Sequence, residues 1–165
     1  MLLDELEAEP KPTVAWLEQV SRRHAADRGF VRQLAEAVAS GSPVLERGGA
    51  WLLRKHVDET GGYPSEAWAI AVDGLGGVTS WETRLVLCQM LAEHPGLFDA
   101  APRDLADFLR ACAGHKTPFV RAWAVTAFHA LGQRHAAFRA QAKRLLVKAR
   151  TDPAKSVQAR LRHLK

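Results

Sequence analysis

The sequence predicts an all-α protein made of stacked helical hairpins, an α-solenoid, and three observations lead to this prediction. Strand-favouring residues are scarce, since the 165 residues include one isoleucine and one tyrosine. Apolar residues recur with helical spacing, and the whole pattern returns every 37 residues along the chain. Glycine, proline and serine cluster between the periodic segments, where helices are expected to end.

The first helix of each repeat is identified by four equivalent positions. These are Arg47, Arg84, Arg121 and Gln158, each 37 residues from the next. The residues three and six positions further on are apolar in every copy: Ala50, Leu87, Ala124 and Leu161, then Leu53, Met90, Ala127 and Leu164. Offsets of three place these side chains on one face of a helix.

The second helix of each repeat follows at the same period, beginning its pattern at Val31, Trp68, Leu105 and Ala142. In each copy the residues at i, i+3, i+4 and i+7 are apolar, which is the stripe of an amphipathic helix. The other members are Leu34, Ala71, Phe108 and Leu145; Ala35, Val72, Leu109 and Leu146; and Val38, Leu75, Cys112 and Ala149.

Together the pattern predicts nine helices: residues 13–25, 28–39, 43–59, 64–75, 80–93, 102–113, 117–131, 135–150 and 153–164. Ser80 and Thr117 stand where helix N-caps are expected. These helices form four pairs and a closing helix in one predicted domain, residues 1–165. A pair of this length cannot bury its apolar face alone, so neighbouring pairs are expected to stack.

The segment TPFVRAWAVTAFHALG, residues 117–132, resembles the first helix of a short HEAT-type repeat, with its Pro, Val-Arg, alanines and Leu-Gly end. In this copy His115 and Lys116 stand where an acidic residue is usual before that proline, and the acidic residue appears only as Asp152 in the last copy. The resemblance implies a right-handed α-solenoid of about four 37-residue HEAT-like hairpins plus a terminal helix. It also implies that the second helix of each pair lines the concave surface.

Positive charge is concentrated in the last third of the chain. Residues 115–165 hold 12 basic residues and 1 acidic residue, whereas the segments 1–40, 41–78 and 79–114 each carry a net charge of −2. On the helix predicted at 135–150, Arg139, Lys143 and Arg150 fall together away from the apolar stripe, and Arg144 and Lys148 complete the flank. Unmixed charge of this kind indicates an acidic partner, although a solvated terminal cap is the alternative explanation.

Trp123 is a further candidate for partner binding. Its repeat equivalents are Gly49, Val86 and Arg160, so the repeat does not explain a tryptophan there. Packing at a contact between helices is the competing interpretation, because tryptophan rings bury large areas at such contacts.

No catalytic residue, metal ligand set or cofactor site is predicted. Cys88 and Cys112 occupy repeat positions held elsewhere by core residues, and no histidine pair has metal-ligand spacing. The HEAT-like deoxyhypusine hydroxylases bind iron through His-Glu pairs, and this sequence contains no His-Glu dipeptide. Phosphate loops and nucleophile elbows are also missing from the sequence.

The leading functional prediction is a non-catalytic scaffold or adaptor that binds an acidic protein partner on its concave, C-terminally basic surface. The alternative is nucleic-acid binding, as in the HEAT-like alkylpurine DNA glycosylases. A third class with short HEAT-like repeats, the pigment lyases and their partner subunits, has no positive support in the sequence. The acidic N-terminal stretch MLLDELEAEP lacks the features of a signal peptide, so a cytoplasmic location without membrane association is expected.

Overall fold

The computed structural model describes all residues, 1–165, and confirms that the protein is all-helical, without strands. Its ten α-helices are α1 (Leu2–Ala8), α2 (Val14–His24), α3 (Phe30–Ala39), α4 (Pro43–Thr60), α5 (Ser65–Gly74), α6 (Trp81–Glu93), α7 (Pro102–Ala113), α8 (Pro118–Arg134), α9 (Arg139–Ala149) and α10 (Lys155–Leu161). Short 3-10 turns occupy Leu75–Gly77, Pro95–Ala100 and Ala136–Phe138.

The nine predicted helices are all present, as α2 to α10. The prediction at 135–150 is divided into a 3-10 turn and α9, and the closing helix is shorter than predicted. Helix α1 was not predicted, because it lies outside the 37-residue pattern. Its two buried leucines, Leu2 and Leu6, lie one helical turn apart.

The aligned repeat positions have matching environments. Of the 24 apolar positions that define the repeat, 21 are buried, and the other three are half-buried. These three are Val31, Leu145 and Leu164. The apolar stripes predicted from the 37-residue period are therefore the faces on which the helices pack.

The chain divides into two compact units, Met1–Val86 and Leu87–Lys165. In the first unit, α3 packs against α4 and α5, and α2 packs against α4. Two glycines permit these contacts. A Cβ atom on Gly49 would lie 2.6 Å from the Cβ of Ala37, and one on Gly74 would lie 2.4 Å from the Cα of Ala39. Any side chain at either position would force the helices apart.

Helix α1 is held to the end of α2 by a polar cluster. His24 Nε2 lies 2.7 Å from Glu5 Oε2, and His24 Nδ1 lies 2.7 Å from Asp27 Oδ2. Arg23 also donates to Glu5. Burial lowers the pKa of His24, but the hydrogen bonds to the two carboxylates outweigh burial, and the net pKa is raised. The imidazole therefore links Glu5 of α1 to the end of α2 through a carboxylate on each ring nitrogen.

Glu46 of α4 is a fully buried carboxylate in the first unit. It accepts hydrogen bonds from the backbone N–H of Thr79 at 3.1 Å, from the Thr79 hydroxyl at 3.2 Å and from the backbone N–H of Ser80. The side chain thus binds the residues that precede α6, where a negative charge also interacts favourably with the helix dipole. Nothing in the sequence pattern predicts this contact.

The two predicted N-caps behave differently. Ser80 Oγ accepts a hydrogen bond from the Thr83 N–H at 3.3 Å, as predicted. Thr117 occupies the N-cap position of α8, but its side chain makes no capping hydrogen bond. Pro118 follows it at the start of the helix, and its fixed φ favours a helix start without that bond.

In the second unit, α8 packs against α7, α9 and α10. Its small residues allow close approach: a Cβ atom on Gly132 would lie 2.8 Å from the Cβ of Ala142 on α9. A core cluster joins α8, α9 and α10, and its buried members are Ala122, Val125, Leu146, Ala149, Val157 and Leu161. This packing fixes which face of α9 points to solvent.

Candidate functional site

Helix α9 presents its basic side chains to solvent. Ala142, Leu146 and Ala149 are buried against the rest of the second unit, as predicted. The opposite part of the helix surface, with its C-cap residue Arg150, carries the five predicted cations, and all of them are exposed: Arg139, Lys143, Arg144, Lys148 and Arg150. We call these five residues the α9 cations.

None of the α9 cations forms an ion pair. Arg150 makes a single long hydrogen bond of 3.4 Å to the carbonyl oxygen of Leu164. Other arginines of the unit do have acidic partners, since Arg121 pairs with Asp152 and Arg134 pairs with Asp99. The second unit contains 14 basic and 5 acidic residues, so its acids cannot neutralise the cations of α9.

The α9 cations form two rows along the helix. At 100° per residue, Arg139, Lys143 and Arg150 make one row, and Arg144 and Lys148 make the other. Val147 lies between the rows, and 63% of its surface is exposed. The solvent face of α9 therefore combines positive charge on both sides with an apolar side chain in the middle.

A groove of about 300 Å³ lies beside the second row. Its apolar lining comes from four helices, α7 to α10, and its rim includes Lys148 of α9 and Thr151. The apolar lining residues are Ala113, Val125, Leu145, Ala149 and Val157. We call this feature the α9 groove.

One wall of the α9 groove is formed by the ion pair between Arg121 and Asp152. Arg121 Nε lies 2.8 Å from Asp152 Oδ2, and Nη2 lies 2.9 Å from Oδ1. The hydrogen bonds from Arg121 lower the pKa of Asp152 against the opposing effect of burial, and Asp152 raises the pKa of Arg121. Both groups stay charged and compensate each other, so Lys148 is the uncompensated charge of the groove.

Trp123 lies against α10, where the guanidinium carbon of Arg160 is 3.1 Å from the centre of the indole ring. This is a cation–π contact. Burial lowers the pKa of Arg160, and Glu93 opposes that effect. One face of the half-buried ring is therefore covered by a residue of the same unit.

Both cysteines, Cys88 and Cys112, are fully buried, in agreement with the core positions that the repeat assigns to them. None of the helices combines the length and the apolar character needed to cross a lipid bilayer.

Sequence reasoning identified the α9 cations but missed the groove beside them. The groove depends on how α7 to α10 and the 151–153 loop come together, which periodicity does not describe. The sequence contained one signal for the groove. Asp152, which forms part of its wall, is the acidic residue that lies six positions before Gln158, the repeat equivalent of Arg121.

Comparison of the chain with protein-family models, with curated proteins and with solved structures finds no match. Function is therefore inferred from the surface chemistry of the chain itself.

Proposed function

We propose that this protein is a non-catalytic helical-repeat scaffold whose basic α9 surface binds an acidic segment of a partner protein. The observation that carries the proposal is that five exposed cations, on α9 and at its C-cap, have no acidic partner within the chain. The proposal includes the HEAT-like, right-handed solenoid, in which α9 is the second helix of the fourth pair and faces the concave side.

Like charges on α9 work against the stability of the helix. Arg139 and Lys143 are four residues apart, as are Arg144 and Lys148, and like-charged pairs at this spacing cost a few tenths of a kcal/mol each. A solvated cap needs only polarity, which mixed charges would also provide. Binding carboxylates would relieve this repulsion, and this is the reason for favouring an acidic partner over a simple cap.

The surface also favours a protein segment because it is not purely ionic. Val147 is exposed between the two rows of cations, and the apolar α9 groove lies beside them. A polypeptide supplies carboxylates and apolar side chains together. A nucleic-acid backbone supplies phosphates at the surface and would leave Val147 in water.

The test measures binding of two fluorescent probes, a short polyglutamate peptide and a DNA duplex, by anisotropy at low salt. The variant is Lys143→Glu, Arg144→Glu and Lys148→Glu combined. Exposed pairs contribute about 0.5 kcal/mol each, so the loss of three is expected to lower peptide affinity about tenfold.

The matched control reverses three exposed cations of the first unit, Lys11→Glu, Arg22→Glu and Arg28→Glu, with the same change in net charge. We expect this control to bind the peptide nearly as the wild type does. Equal losses in both variants would refute a specific α9 site. Tighter binding of the duplex than of the peptide, weakening steeply with salt, would replace the proposal with nucleic-acid binding.

A further inference from the structure

The α9 groove gives the acidic partner a second feature, and this inference rests on the proposed function. We propose that the groove binds one aliphatic side chain of the partner segment while Arg144 and Lys148 bind carboxylates that flank it. The partner is then an acidic protein segment with an apolar anchor residue, rather than a uniformly charged tail.

The size and lining of the groove fit a side chain. At about 300 Å³ it lies at the lower limit of ligand-binding pockets, so it is suited to one or two side chains instead of a cofactor. The accessible apolar lining lies on the half-buried Ala113 of α7 and Leu145 of α9, while the buried Val125 of α8 and Val157 of α10 lie behind it. Burying an aliphatic side chain there removes apolar surface of both partners from water.

The rim of the groove favours negative charge around that anchor. Lys148 lines the groove directly, and Arg144 lies one turn before it on the same row. Two other exposed lysines belong to segments that line the groove, since Lys116 follows Gly114 by two residues and Lys155 begins α10.

Asp152 does not repel a negatively charged ligand as an unpaired carboxylate would. Asp152 is neutralised by two hydrogen bonds from Arg121, and its Oδ1 also accepts the N–H of Ala154 at 2.8 Å. The net charge of the groove and its rim is therefore positive. Charge complementarity selects an acidic segment, and the apolar lining selects its anchor.

The experiment compares two fluorescent polyglutamate peptides that differ in one central residue, leucine or serine. We expect the leucine peptide to bind the wild-type chain about tenfold more tightly. Thr151→Trp places a large ring at the rim of the groove without changing charge, and should abolish the leucine preference while both peptides still bind. Ser156→Trp is the control, because Ser156 is exposed and does not line the groove.

The two rows of cations provide a second comparison with equal charge change. Arg144→Glu with Lys148→Glu should weaken the leucine peptide more than Arg139→Glu with Lys143→Glu does, because the first pair borders the groove. Circular dichroism of each variant verifies that the helices are intact.

The outcomes separate the two proposals. If both peptides bind equally and Thr151→Trp has no effect, the groove proposal is overturned while the acidic-partner proposal stands. If neither peptide binds the wild type, both are overturned. A leucine preference that survives Thr151→Trp but is lost in Ser156→Trp would also overturn the groove proposal.

Discussion

Arg121 and Asp152 form a bidentate ion pair that joins the start of α8 to the loop before α10. The distances from the guanidinium nitrogens to the carboxylate oxygens are 2.8 and 2.9 Å. The arginine also donates to the carbonyl oxygens of His115 and Lys116. Arg84, at the equivalent position one repeat earlier, donates to the carbonyl oxygen of Val78, six residues before it. The contact to the preceding loop thus recurs, whereas the ion pair depends on Asp152.

Asp152→Asn is expected to reduce the free energy of unfolding by about 2 kcal/mol at neutral pH, because both side chains are mostly buried and the arginine loses its charged acceptor. The pKa of Asp152 is lowered in the fold. Its contribution is therefore present above the unfolded pKa of about 4 and is lost as pH falls through the folded value.

Urea unfolding of both proteins from pH 7 downward measures this dependence, and the difference in stability should shrink below about pH 4. Asp73→Asn is the control, since Asp73 is exposed and forms no ion pair. A constant difference at every pH would show that the carboxylate charge does not contribute.

Glu46→Ala is expected to destabilise the first unit by about 2 to 3 kcal/mol, since the N–H groups of Thr79 and Ser80 lose a buried charged acceptor. Glu46→Gln should cost less, because the amide oxygen still accepts. Thermal unfolding compares these variants with Glu7→Gln, an exposed position on α1 where we expect a change within about 0.5 kcal/mol. Equal stability of Glu46→Ala and the wild type would contradict the capping role.

Gly74→Ala is expected to destabilise the protein by about 1 to 3 kcal/mol, because the new Cβ would lie 2.4 Å from the Cα of Ala39. Backbone atoms cannot move aside as a flexible side chain can, so α3 and α5 must separate. Gly76→Ala is a close control, since a Cβ there meets nothing within 4 Å. Denaturant midpoints for the two variants check the prediction, and a similar effect from both would contradict it.

Periodicity predicted the helices and their buried faces because each depends on local sequence and on a stripe that every copy shares. Leu87 and Ala124, for example, are both buried at equivalent positions. The α9 cations were predicted for the same reason, since a buried stripe determines the exposed side of a helix.

Features specific to one copy could not be predicted in this way. Glu46 is charged and fully buried, although the sequence pattern treats a charged residue as exposed. Trp123 is covered by Arg160, a residue 37 positions later, and that contact depends on the side chains of two particular copies. The α9 groove likewise requires the relative geometry of four helices and a loop, which a one-dimensional pattern does not contain.

Thr83 differs from its equivalents in the next two repeats, and this difference identifies a substitution that is expected to stabilise the protein. Thr83 is buried, with 1% of its surface exposed, and its hydroxyl oxygen has no hydrogen-bond partner. The equivalent residues in the next two repeats are Val120 and Val157, both fully buried. Valine has the same branched shape, so the repeat itself shows that this environment accommodates a methyl group.

Thr83→Val is therefore expected to raise the free energy of unfolding by about 1 kcal/mol, by removing the desolvation cost of an unsatisfied hydroxyl. Thr126→Val is the matched control. There the hydroxyl donates to the carbonyl oxygen of Ala122 at 2.8 Å, so the substitution loses a bond and should be neutral or destabilising. Urea unfolding of both variants decides the matter. If Thr83→Val is instead less stable than the wild type, the Thr83 hydroxyl has a hydrogen-bond partner in solution. The desolvation cost assigned to it would then be wrong.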